Sequence, residues 1–439
     1  MFKRAIQSAA VLLALTSAAG AREWVVSPTA GNDDNPGTME KPVATIDQAS
    51  SHAASGDVIS LRGGEYKLNN FLFFNKPGIT LRSAPNEKAI LSAGTNEHGP
   101  VAVVIVTADH VSLIDLEIRG GAYYGIKVDV EDNRPPSKGV VIRGCRVLGS
   151  GRDCVKTINA DELLIEDCEI GPSGVRDPSN AEGIDSMGSK GVTIRRCYVH
   201  DTATNGIYLK AGTTNGLVEC CRVENTGAHG GILLGQDSDE GSMRDGVKYE
   251  AIDCIARNNL IVNTGAAGIG TYSGYNVRFE NNTLVDVAQK TQAAVWIVTN
   301  SRNVQSRDVL IMNNIISTSG SRPMILALDL DGPLMCNSNL YFSSGGKYEF
   351  CREQRTGGDR YDKWDFERWR KEMSADGNSQ VADPLLIKEK LYRPHEASPA
   401  IDRGAALEDV KIDFSGTTRP QGRAIDIGAF EYSGAVAGR

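Results

Sequence analysis

Two interleaved registers of short apolar runs constrain this chain more than anything else in it. The first reads Gly125-Ile126-Lys127-Val128, Cys154-Val155-Lys156, Gly183-Ile184-Asp185, Gly206-Ile207-Tyr208, Gly231-Ile232-Leu233, Gly268-Ile269-Gly270 and Ala294-Val295-Trp296. The second reads Leu116-Glu117-Ile118, Cys145-Arg146-Val147, Cys168-Glu169-Ile170, Cys197-Tyr198-Val199, Cys221-Arg222-Val223, Asn259-Leu260-Ile261, Asn282-Thr283-Leu284, Asn314-Ile315-Ile316 and Asn339-Leu340-Tyr341. Spacing in the second register runs from 23 residues (Cys145 to Cys168) to 38 (Cys221 to Asn259), yet the two stay in step. A fixed strand framework with one loop of variable length behaves this way. The runs are short, β-branched and separated by Gly, Asn and Asp, which disfavours a helical solenoid. Without hairpin turns, successive coils stack in parallel, and such crossovers are right-handed in nearly all proteins. The chain is expected to be all-β, a single-stranded right-handed parallel β-helix (a solenoid) over residues 22–345.

A coil of this kind exposes bare strand edges at its ends and needs caps. Ala44-Thr45-Ile46-Asp47-Gln48-Ala49 reads as a short amphipathic helix, the N-terminal helical cap. Residues 346–439 read as a C-terminal cap or tail, with a charged, helix-like part at 351–380. The charged segment Asp237 to Glu250 interrupts a coil, either as a solvated insertion or as a wall beside a groove.

The 47 glycines and 6% aromatics among 439 residues suit many short strands and tight turns. A net charge of −8 argues against general nucleic-acid binding but leaves room for a local basic strip. Residues 1–21 carry Lys3 and Arg4, an apolar run from Ala9 to Leu15 and the small residues Ala19-Gly20-Ala21, the pattern of a secretory signal. That run is too short to span a bilayer, and no later stretch is apolar enough. A secreted or periplasmic monomer is expected. Cys145, Cys168, Cys197 and Cys221 recur at one repeat position and read as a stacked buried ladder of free thiols. Asn continues that ladder from residue 259. Cys336 and Cys351 fall outside it and could pair across a loop.

Strand alternation locates the chemistry. If Val155, Ile184 and Ile207 point inward, then Asp153, Lys156, Glu182, Asp185, Asn205, Tyr208 and Lys210 share one outer surface. Adjacent strands lie ~4.8 Å apart, so Asp153, Glu182 and Asp185 repel unless a cation neutralises them. Ca2+ suits their oxygen ligands; the alternative is simple pairing with Lys156. Lys210 has no acid in its own rung and is a candidate base. Lys127, Lys156, Asn205 and Arg244 are candidate substrate binders along the groove.

Together with the coil architecture, Glu182-Gly183-Ile184-Asp185 and Asn205-Gly206-Ile207-Tyr208-Leu209-Lys210 resemble the family-nine polysaccharide lyases, β-helix enzymes that cleave pectate-type polymers. The resemblance implies Ca2+ on Asp153, Glu182 and Asp185, and a lysine base one coil onward. That family's lysine lies two positions after its Asn-Gly, where this chain has Tyr208; Lys210 lies two further, on the same face. Tyr208 with His229, and Lys156, remain alternative bases. The implied reaction is β-elimination from an anionic, uronate-containing polysaccharide. A C5-epimerase, a glycoside hydrolase using two of the acids and a non-catalytic carbohydrate-binding surface protein are the competing readings.

Overall fold

The computed structural model describes residues 20–130, 134–227, 229–320, 322–353 and 361–434. Three sheets of twelve strands run the length of the shaft. The first extends from Glu23–Val26 to Met335–Asn337, and the second from Gly64–Leu68 to Gln380–Val381. The third extends from Leu72–Phe74 to Phe350–Glu353 and ends on the antiparallel strand Tyr361–Trp364. One coil takes one strand from each: Val141–Arg143, Arg146–Leu148 and Val155–Ile158, before the chain returns to the first sheet at Leu164–Glu166. The central residues of the first register stack in register, Ile126 on Val155, Ile184, Ile207, Ile232, Ile269 and Val295. Their side chains are fully buried in the core.

The corner between the first and second sheets explains the ladder. A single left-handed residue turns each coil there: Asp115, Gly144, Asp167, Arg196, Cys220, Asn258, Asn281, Asn313 and Ser338, with φ between 51° and 63°. Asn, Asp and Gly tolerate that conformation best. The next residue points inward: Leu116 after Asp115, and from Gly144 onward the Cys or Asn of the repeat. The thiols find backbone acceptors, as when Cys168 Sγ donates to Glu166 O at 3.2 Å. The amides bond to one another along the axis: Asn259 Nδ2 to Asn282 Oδ1 at 2.9 Å, Asn282 to Asn314 at 3.0 Å and Asn314 to Asn339 at 3.1 Å. All nine cysteines are buried and free. The Cys336–Cys351 pairing is therefore corrected. Cys336 lies in the core, where its thiol meets the Tyr341 hydroxyl, whereas Cys351 belongs to a separate apolar cluster with Val298 and Leu326.

The N-terminal cap is the helix Ile46–His52, starting slightly later than the sequence suggested. Thr45 caps it by accepting a bond from Gln48 N at 3.2 Å. The far end is closed by the helix Phe366–Met373. Its Trp369 is buried against Phe350, with ring centroids 5.3 Å apart, and donates from Nε1 to Asp376 at 2.8 Å. Parallel rungs thus continue past residue 345. The remaining tail takes another path. It runs back along the flank, where the outward amides of the corner residues hold it: Asn281 Nδ2 donates to Asp426 O at 2.9 Å, and Asn313 Nδ2 to Ala405 O at 2.9 Å. The segment 1–19, which carries most of the expected signal, lies outside the described residues. No helix among the described residues is long and apolar enough to cross a membrane.

Candidate functional site

Outward side chains on the first sheet follow a rule. Arg143, Glu166, Arg195, Glu219, Arg257 and Glu280 stand opposite one another on successive coils, so each acid faces a base. Several of these neighbours neutralise each other directly, Arg143 and Arg195 on Glu166 and Arg257 on Glu219. The third sheet carries no such alternating row. Lys127, Lys156, Asp185, Tyr208 and Leu233 form one outward row, and Ile158, Met187 and Lys210 form the next. Just before these strands Asp153 and Glu182 are adjacent on neighbouring coils: Glu182 N donates to Asp153 Oδ1 at 3.0 Å. Two acids follow one another where the first sheet would have alternated.

One oxygen each of Asp153, Glu182 and Asp185 come within 4.8 Å of one another. The expected convergence therefore exists, but not as an exposed strip. Asp153 is 1% exposed, Glu182 2%, Asp185 0%, Lys156 8% and Tyr208 1%. Side chains in outward rows one coil apart pack against each other, and neighbours along the row shield each carboxylate. Asn205 is also buried: it donates to Glu182 Oε1 at 3.4 Å and accepts from Gly230 N at 2.9 Å, bridging coils instead of facing a groove.

Charge at the cluster is not balanced from within. The Lys156 ammonium bonds Asp185 Oδ2 and lies 3.9 Å from Asp153 Oδ2. Thr204 Oγ1 donates to Glu182 Oε1 at 2.8 Å. Glu182 Oε2 and Asp185 Oδ1 are buried with no hydrogen-bond partner. Burial, then the charges of Asp185 and Glu182, push the Asp153 carboxyl well above its ordinary range. Burial would lower Lys156, but Asp185 and Asp153 outweigh it and hold its ammonium above its ordinary value. Two orphaned carboxylate oxygens beside a third acid form a donor set suited to a hard divalent cation, and these residues fit Ca2+.

The three candidate bases differ in their surroundings. Burial, followed by Asp185, Glu182 and Asp153, drives the Tyr208 phenol well above its ordinary value, so it keeps its proton. His229 is exposed on the turn before Gly230, and no hydrogen bond joins its ring to Tyr208. Lys156 is committed to Asp185. Lys210 is half-buried, its ammonium 4.7 Å from the Tyr208 ring centroid, with no carboxylate partner among the described residues. Lys127 pairs with Asp129. The Arg244 guanidinium is bidentate to Asp161 and also donates to Gly188 O at 2.7 Å, so it is already engaged. Its backbone N donates to Ala211 O at 3.0 Å, which roots the 237–250 segment one residue beyond Lys210.

The sequence reading missed Tyr124. It occupies the position equivalent to Asp153 one coil earlier, half-buried, with the Lys127 ammonium 5.7 Å from its ring. Its place immediately before Gly125-Ile126 was a usable signal. A cavity of about 720 Å³ opens elsewhere, among Ile387, Arg393, His395 and Tyr432 of the tail.

Residues 133–316 match the family model of a right-handed β-helix region, and residues 24–135 that of a Pel9A-like right-handed β-helix region. The chain is a right-handed β-helix protein. Among solved structures the β-helix resembles pectate lyase Pel9A at 16% identity and TM-score 0.59, covering 93% of this chain and 96% of that one. It resembles the A-module of the Azotobacter vinelandii mannuronan C-5 epimerase AlgE6 at 13% identity and TM-score 0.55, covering 78% and 94%. A rhamnogalacturonan lyase aligns at 14% identity and TM-score 0.51, covering 91% and 99%. At these identities the likeness is one of fold. No curated protein matches the sequence significantly.

Proposed function

We propose that this β-helix is an exported polysaccharide lyase that cleaves a uronate-containing anionic polymer by β-elimination. The observation that carries the reading is the group of three buried acids with two unpartnered oxygens, next to an unpaired lysine one coil onward on the same face. The neighbours in fold that act on uronate polymers support it.

The proton on C5 of a uronate is weakly acidic because a carboxylate stands beside it. Ca2+ held by Asp153, Glu182 and Asp185 supplies, when bound, positive charge to neutralise that carboxylate. Lys210 takes the C5 proton on its Nζ. The C–H electron pair becomes the C4–C5 double bond, the C4–O bond breaks, and the departing sugar oxygen takes a proton from water and leaves as a hydroxyl. Lys156 holds Asp185 in place and limits the negative charge of the cluster. Tyr208, still protonated, forms the floor beneath Lys210.

The test is a panel of pectate, alginate and glycosaminoglycan polymers followed by ultraviolet absorbance, with calcium and with chelator. A lyase gives the absorbance of an unsaturated uronate. New reducing ends without absorbance mean a hydrolase, and exchange of the C5 proton without chain cleavage means an epimerase; either outcome sinks the reading.

A further inference from the structure

We propose that Arg176, with Arg152 and Tyr123, forms a subsite for the carboxylate of a second uronate on the N-terminal side of the acid cluster. The proposal takes its substrate class from the lyase reading above.

The turn from Gly171 to Ala181 is longer than its counterpart one coil earlier, Leu148 to Arg152. Its extra length folds back toward the N-terminus. Val175 N donates to Ser150 O at 3.1 Å, and Asp177 N to Gly151 O at 2.9 Å. Arg176 is thereby carried across two coils. Its Nε donates to Ala122 O at 2.8 Å, and its guanidinium carbon lies 4.5 Å from the Tyr123 ring centroid. Arg152 approaches the same ring at 5.0 Å. The two guanidinium groups differ in what neutralises them. Arg152 is paired with Asp177 at 2.5 Å. Arg176 has no carboxylate partner among the described residues, and its Nη2 is buried with no hydrogen-bond partner at all.

A half-buried guanidinium held against a ring and left without a counter-ion is unusual for a merely structural arginine. Its fixed fork suits a planar carboxylate. The placement is equally specific. Arg152 directly precedes Asp153, and Tyr123 directly precedes Tyr124, which stacks beside Asp153. A positive site therefore adjoins the negative one, displaced one to two coils, about 5–10 Å. A neutral glycan offers Arg176 only hydroxyl acceptors and no countercharge. A polymer with a carboxylate on successive sugars presents one to the acid cluster's cation and another to the arginine.

The experiment measures binding in the Lys210→Ala protein, so that no turnover intervenes, with chelator present to remove the cation's contribution. The probes are oligogalacturonate, oligomannuronate, oligoguluronate and a neutral xylo-oligosaccharide, titrated calorimetrically. At least one acidic probe is expected to bind better than the neutral one, and Arg176→Gln is expected to weaken it roughly tenfold or more. Melting curves establish that Arg176→Gln is folded. In protein retaining Lys210, Arg176→Gln should raise KM with little change in kcat. Acidic probes that bind Arg176→Gln undiminished, or that do not bind at all, overturn the subsite. If acidic probes bind through Arg176 but no polymer yields unsaturated product, the subsite stands and the lyase reading falls. If Arg176→Gln yields that product at unchanged KM, the lyase reading stands and the subsite falls.

Discussion

Lys156 stands opposite Asp185 on the neighbouring coil and bonds one of its oxygens, while the other oxygen, Oδ1, is buried without a partner. One ammonium therefore serves a cluster of three acids and leaves it short of positive charge. Replacing Lys156 by Met should cost about 3–5 kcal/mol, the usual penalty for stranding a buried charge. Calcium should recover part of that loss. Thermal melts of wild type and Lys156→Met, with calcium and with chelator, check both effects.

The Asn ladder gives a prediction independent of catalysis. Asn282 accepts from Asn259 N and Nδ2 and donates to Ala256 O and Asn314 Oδ1. Asn282→Ala leaves several buried groups unsatisfied at once and should cost about 2–4 kcal/mol. Denaturant titration measures it. A loss below about 0.5 kcal/mol would mean that the ladder adds no stability.

Ladder and shaft were legible in the sequence because strand alternation and a repeated corner leave marks at fixed positions. Asn259, Asn282, Asn314 and Asn339 recur at one position of the repeat, and their bonds follow from that recurrence. The convergence of Asp153, Glu182 and Asp185 was legible for the same reason. Their burial was not, since it depends on how neighbouring outward side chains cover one another. The engagement of Arg244 by Asp161 joins residues 83 apart in sequence, which no repeat predicts. The path of the tail was equally hidden: the side-chain amides of Asn281 and Asn313 bond its backbone carbonyls, which carry no sequence pattern.

The tail also supplies a pH prediction. Asp426 accepts from Asp402 N at 2.8 Å and from Tyr432 N, and lies near Glu431 and Arg419. Burial is the main cause that raises its carboxyl from 3.8 to about 6, assisted by Glu431 and opposed by the backbone bonds and Arg419. A raised carboxyl favours the protonated fold. Its contribution is complete below the unfolded value and is lost as pH climbs through about 6. Asp426→Asn should flatten the melting temperature across that window relative to wild type. An unchanged slope would show that Asp426 is not the group responsible.

Because all nine cysteines are buried and free, reductant should leave the melting temperature unchanged. Native protein should resist alkylation, and denatured protein should take up nine labels without prior reduction. Fewer labels before reduction than after it would reveal a disulfide.

The account stands or falls most directly on Lys210. On whichever polymer the wild type cleaves, Lys210→Ala should lose about 100- to 10,000-fold in kcat, with the calcium dependence of its melting temperature intact. Turnover within a few-fold of wild type would contradict the assignment of Lys210 as the base and, with it, the proposed site.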